Sequence, residues 1–271
     1  GWVQIKNVIP EETLEFYRSQ VSDVIRMVAR SKNLDLDPGI DVREQFNALC
    51  RYDRFYGGLV YDCLRYHPLM QNISKEKKLI DICNSLIDPE LLFHVHDQIQ
   101  FRIDRRSEER FQLEWHQDYW YNNTSTKAIT AWIPLFDVNL ESGPMQIING
   151  SHLLGPRKVI IDPNYKSDWD QNRLIRAAEP IDFESGSTLA CPAGSVVFLN
   201  ALTLHRSGSN FTDYPRFTII LRYADLYDDE LISKRWKAGI SPGQVSLLEQ
   251  RPDLVVNMDQ LTTGSELSER N

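Results

Sequence analysis

Residues 191–199 read Cys191-Pro192-Ala193-Gly194-Ser195-Val196-Val197-Phe198-Leu199, a Pro/Gly reversal set directly before a β-branched and aromatic run. Pro pre-sets one turn dihedral and Gly supplies a positive one, so the first four residues favour chain reversal. The Val and Phe that follow suit a pleated, half-buried strand. The same texture recurs from about residue 90, in 92–103, 127–135, 144–148, 187–190 and 216–224. A second reversal lies at Asp137-Val138-Asn139-Leu140-Glu141-Ser142-Gly143-Pro144. Short strands parted by turn residues predict a mainly β fold, with a jelly-roll or other double-sheet barrel over 90–226.

Upstream the period changes. After a strand-like Trp2-Val3-Gln4-Ile5, Pro10-Glu11-Glu12 leads into Leu14, Tyr17, Val21, Val24, Ile25 and Val28 at three-to-four spacing, the signature of an amphipathic helix. Residues 31–42 read as a loop, and further helical signals cover 43–52, 57–66 and 75–87, so 1–89 is expected to be mostly helical. Residues 156–180 show few apolar periods and are expected to be an insertion between barrel strands, covering a site mouth. Residues 227–271 form an expected C-terminal extension that packs in part and frays last. Barrels and sandwiches of this length form one unit, so 1–271 is expected to be a single domain.

Composition narrows the classes. Hydrophobic residues make up 42% and charged residues 25% of the chain, which allows a packed core and argues against wholesale disorder. The net charge of −8, with no dense Lys/Arg run, argues against a nucleic-acid partner. Cys50, Cys63, Cys83 and Cys191 form no CxxC pair, which fits neither a disulfide framework nor a thiolate zinc site. Reduced thiols in a cytoplasm are the expectation. No basic-then-apolar leader and no apolar stretch near 20 residues is visible, so no membrane partner is expected.

Chemistry concentrates in Glu114-Trp115-His116-Gln117-Asp118-Tyr119-Trp120. An imidazole and a carboxylate two residues apart share one face of a strand or strand end and can share a metal. His205 follows 89 residues later, from 116 to 205, just after the apolar run Val196-Val197-Phe198-Leu199. Two imidazoles and one carboxylate on one face leave three adjacent positions open, as non-haem Fe(II) needs to bind a chelating oxo-acid and O₂. HxD alone is a weak signal in a chain with 6 His and 38 acidic residues. Arg216 strengthens it: it lies 11 residues past His205, from 205 to 216, in the apolar strand Arg216-Phe217-Thr218-Ile219-Ile220-Leu221. A buried arginine needs an anionic partner. A dicarboxylate co-substrate would pair with it bidentately, and a structural salt bridge is the other reading. Arg222 on the same strand is the next candidate anchor.

Taken together, HQD at 116–118, Trp132 in Ala131-Trp132-Ile133-Pro134-Leu135, Glu141-Ser142-Gly143-Pro144-Met145-Gln146, Asn149-Gly150-Ser151-His152 and HRSGSN at 205–210 with Arg216 resemble the phytanoyl-CoA dioxygenase family of Fe(II)/2-oxoglutarate oxygenases. The resemblance covers roughly residues 90–226, with a weaker helical match before. It implies a double-stranded β-helix (jelly-roll, cupin-like) core, an N-terminal helical region and peripheral helices, all forming a single catalytic domain. It implies iron on His116, Asp118 and His205, and 2-oxoglutarate contacts from Arg216, Ser207, Trp132, Gln117 and Gln98. The reaction implied is hydroxylation of a small organic molecule by O₂, with release of succinate and CO₂. It does not imply phytanoyl-CoA as the substrate.

Each of these residues has a second reading. Trp132 suits barrel core, Ser207 suits its own turn, and Gln117 points to the opposite face from its neighbours in a regular strand. His152 reads as part of a turn, and His94 and His96 as core or pocket wall. Holding a C–H bond beside the reacting oxygen requires a dry, aromatic wall, for which Tyr119, Trp120 and Tyr121 are the candidates. Arg102, with Arg54, Arg65 and Tyr66, could hold a polar substrate, or each arginine could simply face solvent. A silent jelly-roll module would tolerate loss of a ligand, and a cupin-type hydrolase or isomerase would not need Arg216. All four residues are present.

Overall fold

Strand β1 (Trp2–Ile5) leads to Pro10, whose φ of −62° suits the entry to helix α1 (Glu11–Ser31). Glu11 and Glu12 in the first turn and Arg30 in the last complement the helix dipole. The six apolar residues at helical spacing, from Leu14 to Val28, are all buried. Helices α2 (Val42–Tyr52) and α3 (Arg54–Tyr66) begin at Asp41 and Asp53, whose carboxylates accept from the backbone NH groups of Arg43 and Phe55. Such N-caps satisfy helix donors that would otherwise lack a partner. Helices α4 (Pro68–Asn72) and α5 (Lys77–Ile87) complete the N-terminal layer. A computed structural model describes residues 1–95, 100–106, 108, 112–122, 124–161, 175–179, 181, 186–235 and 251–256.

The remainder is mostly strand: β2 (Leu92–His94), β3 (Gln100–Asp104), β4 (Ile129–Pro134), β5 (Met145–Ile148), β6 (Val159–Ile161), β7 (Ile175–Ala177), β8 (Gly186–Leu189), β9 (Val196–Asn200), β10 (His205–Ser207) and β11 (Arg216–Asp225), then helix α6 (Asp229–Ser233) and β12 (Val255–Val256). The major sheet runs β1-β9-β4-β11-β2, with β3 beside β2 on the same edge of β11. A second sheet runs β10-β5-β8.

Alternation assigns the faces. Phe217, Ile219, Leu221 and Tyr223 of β11 pack with Ile133, Phe198 and Phe101 against Leu14, Val21, Val60 and Leu64 of the helices. The opposite face supplies Trp132, Val197, Leu199 and Ile220, which meet Met145, Ile147 and Leu189 of the second sheet. Burying each large apolar side chain contributes roughly 1.5–3 kcal/mol, so a shift of register by one residue is heavily disfavoured. Arg216, Thr218 and Arg222 are in phase with Ile220 and therefore face the space between the sheets.

Gly194, in the reversal before β9, has φ of 77°, and a Cβ there would sit 2.7 Å from the Ile9 carbonyl oxygen. Its own carbonyl accepts from Val8 and Ile9 NH at 2.8 and 2.9 Å, seating the N-terminal segment on the sheet.

Within residues 156–180, β6 and β7 pair antiparallel, and β12 of the C-terminal extension adds parallel to β6. Residues 162–174 of that stretch, and 236–250 and 257–271 of the extension, lie outside the described residues. Among the described residues no helix is long and apolar enough to cross a membrane.

Candidate metal centre

Two backbone hydrogen bonds close the 116-to-205 separation. His116 NH donates to the His205 carbonyl and His205 NH to the His116 carbonyl, both at 3.0 Å, an antiparallel bridge that continues β10. Residues facing each other across such a bridge project to the same side. The two imidazoles accordingly lie with centroids 4.3 Å apart.

Each ring is oriented from behind. Nδ1 of His116 lies 2.7 Å from the Glu114 carbonyl, and Nδ1 of His205 lies 2.9 Å from the Thr203 carbonyl. A carbonyl only accepts, so both Nδ1 atoms carry a proton, and in a neutral ring that leaves Nε2 to offer its lone pair. Asp118, at the start of a 3-10 turn, brings Oδ1 to 3.8 Å from His116 Nε2 and 3.9 Å from His205 Nε2. The three ligand atoms all lie within 4.8 Å of one another. Ligand atoms about 2.1 Å from a metal and at right angles are about 3 Å apart, so the Asp118–imidazole separations of 3.8 and 3.9 Å need to close by about 1 Å for coordination.

Electrostatics agree with ligation. Burial, aided by the neighbouring His205, lowers the His116 pKa to about 3, against the attraction of Asp118, so this imidazole is neutral near pH 7. Burial opposes ionisation of Asp118, but the Arg222 guanidinium foremost, with the two histidine rings and the Thr130 hydroxyl, outweighs it and holds the carboxyl well below its usual range. Arg222 Nη2 is 3.2 Å from Asp118 Oδ1, and Thr130 Oγ1 donates to Oδ2.

Arg216 is 4% exposed, and its Nη2 lies 2.7 Å from Asp104 Oδ2, while Asp104 Oδ1 accepts from Arg102 Nη2 at 2.7 Å. The salt bridge offered as its alternative reading is therefore present. Yet Arg216 Nε and Nη1 and the neighbouring Thr218 Oγ1 are buried with no hydrogen-bond partner. Idle buried donors on one interior face are costly unless a ligand meets them, which suits the distal carboxylate of a dicarboxylate. Trp132 lies on the same interior, with the Arg216 Cζ 5.8 Å from its ring centroid. Ser207 is two residues from His205 on β10 and so shares its face. Nothing in the local sequence marked Asp104, Thr130 or Thr218, since each matters through partners on distant strands.

Other expectations change. Gln117 does not turn toward the histidines: its amide nitrogen donates to the Gly155 and Leu202 carbonyls at 3.0 and 2.7 Å, and its oxygen accepts from Arg157 NH at 2.8 Å. Strand alternation, which sends His116 and Asp118 inward, sends Gln117 the other way. Tyr119 and Trp120 are also corrected as pocket wall, because neither has exposed surface. Both pack with Trp115, Leu202 and Leu254, and the Tyr119 hydroxyl is held by Glu230 and by Arg251 at 2.8 Å. Tyr121, partly exposed and with its ring centroid 5.6 Å from that of His116, is the aromatic beside the site. Arg102 is tied to Asp104, Arg54 bonds Glu108, and His94 packs on Tyr223. Gln98 and His96 lie outside the described residues.

The model of a family described as phytanoyl-CoA dioxygenase (PhyH) matches residues 1–218. A probable alpha-ketoglutarate-dependent hypophosphite dioxygenase of Stutzerimonas stutzeri is 25% identical over 162 residues, 59% of this chain and 54% of that protein. The chain thus spans about half the length of this relative. An ectoine dioxygenase of Bordetella parapertussis is 22% identical over 236 residues, 82% of this chain and 71% of the relative. Among solved structures, the apo non-heme monooxygenase ThoJ matches with TM-score 0.56 and 21% identity over 83% of this chain and 74% of its own. EctD from S. alaskensis with 2-oxoglutarate and 5-hydroxyectoine matches with TM-score 0.54 and 15% identity over 83% and 72%. At these identities the structural likeness is one of fold.

Proposed function

The chain belongs to the phytanoyl-CoA dioxygenase family, a family of Fe(II)/2-oxoglutarate-dependent dioxygenases, and from that membership we propose that the protein hydroxylates a small organic substrate. In this proposal the two facing sheets form a double-stranded β-helix, and the chain acts as one catalytic domain. One observation carries it: two Nδ1-protonated imidazoles and one ionised carboxylate converge within 4.8 Å. His116, Asp118 and His205 hold the metal, a donor set suited to Fe(II) with open positions.

Iron held there supplies the O₂ activation that couples decarboxylation of 2-oxoglutarate to substrate oxidation. The protein's own residues bind and orient. Arg216 offers its unpartnered Nη1 to the distal carboxylate, with Thr218 and Ser207 on the same interior, and Trp132 walls that end against water. Tyr121 flanks His116 and is the aromatic group placed to meet the substrate. The relative named as an ectoine dioxygenase supports a small-molecule substrate. The four thiols are free, which suits the cytoplasm expected from the sequence.

The test is an anaerobic Fe(II)/2-oxoglutarate complex mixed with O₂ across a metabolite panel. Succinate and CO₂ should form slowly alone and faster with the true substrate. Full turnover with zinc or magnesium in the absence of O₂ would overturn the proposal.

A further inference from the structure

Asp118 reaches the metal site from the second-sheet side, yet both its oxygens are held by the major sheet. Thr130 on β4 and Arg222 on β11 are cross-strand partners in the register of that sheet. Both side chains are buried, at 3% and 7% exposure, and each takes one carboxylate oxygen: Thr130 Oγ1 donates to Oδ2, and Arg222 Nη2 lies 3.2 Å from Oδ1. Oδ1 is the oxygen nearest both Nε2 atoms, at 3.8 and 3.9 Å.

We propose that Thr130 and Arg222 form a two-strand clip that presents Oδ1 of Asp118 to the metal and withholds Oδ2. The inference rests on the metal-centre reading above and deepens it. A carboxylate can bind a cation through one oxygen or both. Three open positions, two for the co-substrate and one for O₂, remain on a six-coordinate ion only if Asp118 contributes a single donor. A hydroxyl hydrogen bond to Oδ2 occupies the lone pair that would otherwise turn to the metal. The guanidinium on Oδ1 stops the carboxylate rotating about its own axis. Arg222 is therefore a positioning residue for Asp118, not the reserve 2-oxoglutarate anchor suggested by its place on the strand.

The test compares wild type, Thr130→Val and Thr130→Ser. Valine keeps the shape and strand preference of threonine but deletes the hydroxyl, and serine restores it. Three quantities are measured: affinity for Fe(II) without co-substrate, affinity of the anaerobic Fe(II) protein for 2-oxoglutarate by its charge-transfer absorbance, and the visible spectrum of the Co(II) protein, which reports coordination number. Loss of an outer-shell partner typically costs about 10- to 100-fold in metal affinity or activity. In Thr130→Val the clip expects a loss of that order in 2-oxoglutarate affinity instead, with metal affinity held within a few-fold and a changed Co(II) spectrum, and Thr130→Ser should behave as wild type. A merely structural threonine would instead weaken metal and co-substrate together. That outcome, unchanged values in Thr130→Val, or a folded Thr130→Ser as defective as valine would overturn the clip. If wild type bound iron but gave no charge-transfer band, the 2-oxoglutarate reading would fail. The clip would then stand or fall on the Co(II) spectrum of Thr130→Val alone.

Discussion

Arg216 carries a full charge at 4% exposure, with one oxygen of Asp104 as its carboxylate contact and two donors idle. Truncating one partner of a buried, hydrogen-bonded charge pair costs roughly 2–5 kcal/mol, or about 30-fold to several thousand-fold in affinity. Arg216→Ala should therefore weaken 2-oxoglutarate binding by at least tens of fold while Fe(II) binding stays near normal. Arg216→Lys should recover only part, because an ammonium lacks the planar fork. Anaerobic titration of the charge-transfer absorbance checks this, and equal affinities across the three proteins would leave Arg216 a structural partner of Asp104. The arginine was legible in the sequence from its spacing to His205 and its apolar strand. Asp104 was not, because an inward-facing aspartate 112 residues away is indistinguishable locally from a solvated one.

At the scale of paired strands, the β3–β11 register sets Asp104 opposite Arg216 and Arg102 opposite Thr218, so one carboxylate serves two guanidinium groups. Burial works against ionisation of Asp104, but Arg102 and Arg216 outweigh it and hold the pKa at about 2. An unfolded aspartate titrates near ~3.9, so the unfolded chain takes up the proton first as pH falls. The stabilising contribution is complete above about pH 4 and is lost as pH falls through about 2. Acid unfolding followed by circular dichroism should show this limb in wild type. Asp104→Asn should lack it, and should be less stable at neutral pH by about 3–5 kcal/mol because the buried Arg216 loses its counter-charge. An unchanged acid limb in Asp104→Asn would assign the effect to other carboxylates.

For the molecule as a whole, the largest apolar cluster among the described residues joins the helices to the outer face of the major sheet and contains none of the candidate metal ligands. Stripping metal with a chelator should leave far-UV circular dichroism and a cooperative melt intact. Adding a redox-silent divalent metal at about 100 times its dissociation constant should stabilise by about 2.7 kcal/mol, a rise of several degrees in Tm, and 2-oxoglutarate at the same multiple should add about as much again. Loss of the cooperative transition on chelation would make the metal structural. The same separation explains why the fold was readable from patterning: α1 and the strand runs at 129–134, 196–200 and 216–225 follow local periods that need no ligand.

By itself the sequence determined the helical first third, the strand-rich remainder, the HxD pair with its distal histidine, and Arg216. All of these are set by residue type and by periods of 3.6 or 2 within one segment. Tertiary structure decided what each inward side chain meets. It turned Gln117 onto the backbone at 155, 157 and 202, buried Tyr119 and Trp120 beside the C-terminal segment while Tyr121 took the place next to His116, and paired β6 with β7 and β12. It also brought Thr130 and Arg222 together on Asp118 and Asp104 onto Arg216. These contacts depend on the register between strands far apart in the chain, where a slip of one residue exchanges the two faces of a strand. That register is set by the packing of the whole core, which no single segment encodes.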